Sequence, residues 1–243
     1  MKKIKVLSHR LGWMLVLLLM AGAAGAGLPK LPKAPSIPGS SSPAPGQADP
    51  KAWLDKVDAF MADVEGARAC LDGSRSSLFS LTATAEEKKL LEEAKSGAAE
   101  RGEDLVLATR RVEDEVLRKA QEEKRLESRK LSGAQLENMS RLGGNLLLAI
   151  KRDTRAVAAG KSILEQADDV VKAAGDPATA LRLGKDASRI VALPKKLSTT
   201  LQEIPAQLSS LQALLEAVEQ SRKGNAFPLA APASGGYALI EEF

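Results

Sequence analysis

One histidine and one cysteine, His9 and Cys70, limit the chemistry this chain can do. His9 falls in the first 26 residues, which have the parts of an export signal. Once they are cleaved no imidazole remains, so a Ser–His or Cys–His nucleophile pair is excluded. A histidine-containing metal set is excluded with it, including the Glu-x-x-His pattern of di-metal helical bundles. No glycine-rich turn joins a strand to a helix in the way that cradles phosphate. Carboxylates are abundant but alternate with Lys and Arg, as in Asp114–Arg118 and Glu115–Lys119 at i,i+4. That is the pattern of a solvated helix face. The residues therefore predict no catalytic, cofactor-binding or metal-binding site, and a non-enzymatic protein.

What polar chemistry remains is positional. Asp153 falls in the apolar series Met139–Leu146–Gly160–Ala167. There it either fixes helix register from inside the seam or turns to water at the seam's edge. Cys70 has no partner for an intramolecular bridge, so it is either a buried small residue or the site of an intermolecular disulfide. Ser198, Thr199, Gln202, Gln207 and Ser210, with Thr200, Ser209 and Gln212, make one stretch polar but nearly uncharged. Charge depletion is a feature of interface cores, so this stretch is a candidate contact face. Arg118 to Lys130 carries six basic and three acidic residues and reads as a solubilising hairpin end.

The elements that must hold these residues are helices. Asp49-Pro50 and Asp176-Pro177 each place a capping side chain before a proline at the first helical position. Thr84 with Glu87 and Ser132 with Gln135 are capping boxes. Gly175 and Gly224 can end helices. Four helices follow, at about 50–81, 85–130, 133–174 and 177–222. Apolar residues recur at sevens in the third, from Leu136 through Ile150 to Val171, and in the fourth, from Leu183 through Ile204 to Val218. The fourth register crosses Pro194 and Pro205 without changing phase, which predicts one proline-kinked helix rather than three short ones. The fold class expected is all-α, an elongated antiparallel bundle with coiled-coil-like packing.

The ends of the chain complete the organisation. Residues 1–26 combine Lys2, Lys3, Lys5 and Arg10 with the apolar run Trp13 to Met20 and the small residues Ala24-Gly25-Ala26. They read as a signal peptide, giving an exported protein that is periplasmic or extracellular. Residues 27–49 form a Pro/Ala/Ser/Gly-rich linker in which Pro29, Pro32, Pro35 and Pro38 keep the threefold period of polyproline II. Residues 50–223 are the bundle, and 224–243 a flexible tail whose Tyr237 to Ile240 either pack back or pair as a strand. The chain holds 35 basic and 31 acidic residues, four of the basic ones within the signal, so the processed chain is neutral. A nucleic-acid partner is not expected of a neutral chain. The partner expected is a protein or a second copy, with a membrane surface as the alternative for long amphipathic helices.

Overall fold

A computed structural model describes residues 49–231, 236–238 and 240. The chain divides into two units, residues 1–42 and 43–243, and the described residues all belong to the second. The signal at 1–26 and all of the linker but Asp49 lie outside them. The described residues form eight helices and no strand: α1 Pro50–Thr82, α2 Ala85–Arg101, α3 Leu105–Glu122, α4 Arg125–Ser128, α5 Gly133–Glu165, α6 Ala167–Gly175, α7 Pro177–Leu183 and α8 Lys185–Gly224. The unit is all-α.

Local capping starts these helices. Asp49 accepts from the amides of Lys51 and Ala52, with Pro50 behind it. Reciprocal capping boxes open α2 at Thr84–Glu87 and α5 at Ser132–Gln135. Asp176 accepts from Thr179 N–H at the head of α7. Each satisfies amides that would otherwise have no partner.

Three long helices carry the core. α1 and α5 run antiparallel: Trp53 Nε1 donates to Ile163 O at 2.9 Å, and Asp63 pairs with Arg152 some eleven residues earlier on α5. α5 and α8 are also antiparallel, with Gly160 against Leu201 and Gly143 against Val218. α8 is a single helix through both Pro194 and Pro205. Ile190, Leu197, Ile204, Leu211 and Val218 on its seam are all fully buried. Burial of one such side chain contributes about 1.5–3 kcal/mol, enough in series to offset about 3 kcal/mol at each proline.

Where one helix was expected at 85–130 there are three. α2 ends at Gly102, whose φ of 64° is left-handed, and Asp104 then caps a new helix by accepting from Val106 and Leu107. α3 returns along α2 and lies on α1, with Asp72, Ser76 and Phe79 beside Arg110, Glu113 and Val116. Arg118 to Lys130 is therefore not the solubilising hairpin end expected: Ala120 and Leu126 are buried, and Arg125 reaches Glu87 at 2.6 Å. The expected third and fourth helices are also interrupted, at Gln166 and at Gly184.

The described part of the tail is not loose either. Phe227 is buried, and Leu229 fills the space that a side chain at Gly143 would need. Ala230 N–H donates to Ser140 O at 3.1 Å. Asn145 brackets Ala238, donating to its carbonyl and accepting from its amide at 2.8 Å each. Tyr237 packs back on the helices rather than pairing as a strand, with Arg152 over its ring 4.8 Å from the centroid. A side-chain carbon at Gly144 would overlap the carbonyl of Ala230. Gly144→Ala should lift the tail, at a cost of about 1–3 kcal/mol, and expose the chain beyond Gly224 to protease. Gly133→Ala, where nothing lies within 4 Å, should leave melting and proteolysis unchanged. Both are read by thermal melting and limited proteolysis.

Candidate functional site

The most unusual chemistry in the described residues is a polar layer inside the seam. Asp153 of α5 is 0% exposed, and neither carboxylate oxygen has a partner within hydrogen-bonding geometry. It sits one helical turn from Ala149 and from Ala156, both core residues, so the register points it inwards. Water does not reach it, which removes the solvent-facing reading. Burial pushes its carboxyl up to about 6, while Gln207 and Arg68 beside it pull back and the charge of Asp63 adds to the rise.

Gln207 belongs to this layer and not to the outer face expected for it. It follows Ile204 by three residues and precedes Leu211 by four, so it shares their inward direction, and it is 6% exposed. Its Nε2 donates to Val64 O of α1 at 3.2 Å. Thr200 is likewise buried, 4.0 Å from the sulfur of Met61. The rest of the predicted face does point outwards: Thr199, Gln202 and Ser209 are exposed, and Ser198 and Ser210 half-buried.

Cys70 is a free, half-buried thiol beside the core, with its Sγ 3.9 Å from Ser74 Oγ. Burial pushes it up to about 11, so little thiolate forms near neutral pH and its nucleophilicity is low. Burial similarly raises the Tyr237 phenol to about 12.

Two ionic clusters, neither singled out in the sequence, fasten the α2–α3 hairpin. Arg75, 5% exposed, donates from Nε to Asp114 at 2.6 Å and from Nη1 to Asp72 at 2.8 Å, and Asp72 also accepts from Arg110 at 2.6 Å. Glu87 takes both guanidinium arms of Arg125, which holds its carboxyl down to about 2. Their only sequence signal was the mixed charge that reads as a solvated face. Between the hairpin and α1 lies an open cleft of about 540 Å³, with Phe79, Leu91 and Val106 among Lys88, Lys95 and Arg110. At its edge Leu105, Val106 and Leu107 are 48%, 53% and 51% exposed.

Among the described residues no group of three or more His, Cys, Asp or Glu is placed to hold a metal ion. None of the described helices is long and apolar enough to cross a membrane. The chain matches no protein-family model, no curated protein and no solved structure.

The buried carboxyl has a consequence for stability. Its folded value of about 6 lies above its ordinary 3.8, so the folded state holds the proton more tightly than the unfolded chain. The penalty is absent below 3.8, grows as pH rises, and is complete above about 6. Asp153→Asn should therefore raise stability by about 1–3 kcal/mol near neutral pH and by little near pH ~4. Denaturant titration of both proteins at the two pH values measures the difference.

Proposed function

We propose that this chain is a non-enzymatic exported protein that acts as a structural or protein-interaction module of the cell envelope or secreted space. The scaffold we infer is an elongated, coiled-coil-like antiparallel bundle, with α1, α5 and α8 as its long members and the α2–α3 hairpin on its side. The observation that carries this reading is Leu105, Val106 and Leu107, three consecutive large apolar side chains, each about half exposed where the hairpin turns. Contiguous exposed apolar surface on a folded unit marks contact with something else. The outward part of the α8 polar stretch, Thr199, Gln202 and Ser209 with Ser198 and Ser210, offers a second, weakly charged surface for the same role. Export rests on residues 1–26 alone.

A protein contact is favoured over a bilayer because the aromatic residues are spent elsewhere. Trp53, Phe60 and Phe79, which would anchor a helix at a lipid interface, are 1%, 3% and 4% exposed in the core. The charges around the hairpin turn also balance, with Arg101, Arg110 and Arg111 against Glu100, Glu103 and Asp104. Light scattering on the purified protein, with co-purification from the envelope, tests the reading. The expected result is a self-associated species or a retained protein partner, lost in Leu105→Lys/Leu107→Glu with the fold intact. A strict monomer that retains nothing, or the same association in the variant, overturns it. Flotation with liposomes would transfer the assignment to a lipid surface.

A further inference from the structure

Apart from the small cluster of Phe79, Leu91 and Val116 at the hairpin, the buried apolar side chains separate into two clusters, and the division falls at one level in all three long helices. On α1 it lies between Val64 and Ala67, on α5 between Ala149 and Ala156, and on α8 between Ile204 and Leu211. Asp153 and Gln207 occupy that level. An apolar residue at either position would join the clusters into one core. Two further features weaken the same level. Pro205 has no amide to give to the carbonyl of Leu201, so α8 lacks a backbone bond there. Gly66 on α1 has no side chain, and a carbon placed there would meet the Tyr237 ring at 3.3 Å and an Arg152 nitrogen at 3.4 Å. Tyr237 thus covers the layer from outside.

We propose that this layer is a proton-operated joint: with Asp153 protonated the two clusters move as one body, and with Asp153 ionised the layer opens while each cluster holds. Opening admits water to a carboxylate that, when closed, lies beside Gln207 with neither oxygen in hydrogen-bonding geometry, which recovers hydration that the apolar seam denies it. The groups around Asp153 come from every neighbouring element. α1 supplies Asp63, Arg68 and Cys70, and α5 itself Arg152, paired with Asp63 at 3.6 Å. α8 supplies the neutral Gln207, and Glu203 held by Arg68 at 2.6 Å, while the tail supplies Tyr237. Burial raises three of these groups, and only Asp153, at about 6, is brought into the range between pH ~5 and ~8. The Cys70 thiol at about 11 and the Tyr237 phenol at about 12 stay protonated throughout it. Tyr237, which leans on both α1 and Arg152, should be among the first contacts released. The inference stands on the core and not on the interaction role proposed above.

Hydrogen exchange read by mass spectrometry on the intact protein, at about pH 5 and about pH 7.5 with intrinsic rates divided out, tests it. Segments 60–68, 149–157 and 201–209 should lose protection by about 10-fold at the higher pH. Segments inside the clusters, 71–81 and 211–218, should change little. Asp153→Asn should abolish the difference. Loss spread evenly over all helices, no loss, or the same loss in Asp153→Asn overturns the proposal. Should that variant fail to fold, carbon-13 titration of the wild-type carboxyls still decides. Asp153 must titrate well above the other aspartates, and an ordinary value sinks the idea.

Discussion

Burial along the seam that α5 shares with α1 and α8 is the interaction on which the other parts of the described unit depend. α8 could not remain one helix across two prolines without it, because each proline removes a backbone bond and crowds the preceding turn. The leucines and isoleucines at seven-residue intervals repay that loss only if the phase is kept, since a slip would turn them towards water. Close approach is part of the same arrangement. At Gly160 an added side-chain carbon would lie within 3 Å of Phe60 and Leu201, so both would have to shift for α5 to sit as closely against its neighbours. The same seam explains why Asp153 matters: a charge has consequences where everything around it is dry.

The α2–α3 hairpin is held by different physics. Its apolar contact with α1 is small, centred on Phe79, Leu91 and Val116. Arginine–carboxylate geometry supplies the rest, with Arg75 gripping Asp72 and Asp114, and Arg125 gripping Glu87. Arg75, Arg125 and Glu87 are shielded from water while Asp72 and Asp114 are 39% and 58% exposed, so losing the partners of a shielded group leaves an uncompensated charge and costs more than breaking a surface pair would. Beyond Thr109 the grip ends, and residues 101–107 are exposed. The hairpin is firmly seated at its base and bare at its turn, which is where its apolar triplet lies.

What could be read from the sequence was what is written locally. The starts of α1, α2, α5 and α7 were legible because a cap and the amides it satisfies lie within three residues. The break inside 85–130 was also written locally, as Gly102 followed by Asp104. It was masked by Leu91, Ala98 and Leu105, which continue at sevens across it. Periodicity was the weaker signal there, since Leu105 proves half exposed. At Gln207 the opposite held: its polarity argued for the outer face, its register for the inner one, and register won. The ionic grip of Arg125 on Glu87 and the seating of the tail were not legible. Their partners are tens of residues away, and the tail's sockets are glycines on α5 that carry no signal of what will fill them. At Asp153 the sequence marked the position and left its solvation open.

The seated tail also bears on the order in which the molecule can be finished. Phe227 and Leu229 belong to the same apolar cluster as Leu142 and Leu146, which were made some eighty residues before them. During synthesis that cluster must wait, incompletely sealed, for residues 227–229 to emerge. A ribosome stall or early stop just past Gly224 would leave all eight described helices encoded but the cluster around Leu142 and Leu146 without its cover. Such shortened chains would be the sticky ones that quality control must recognise.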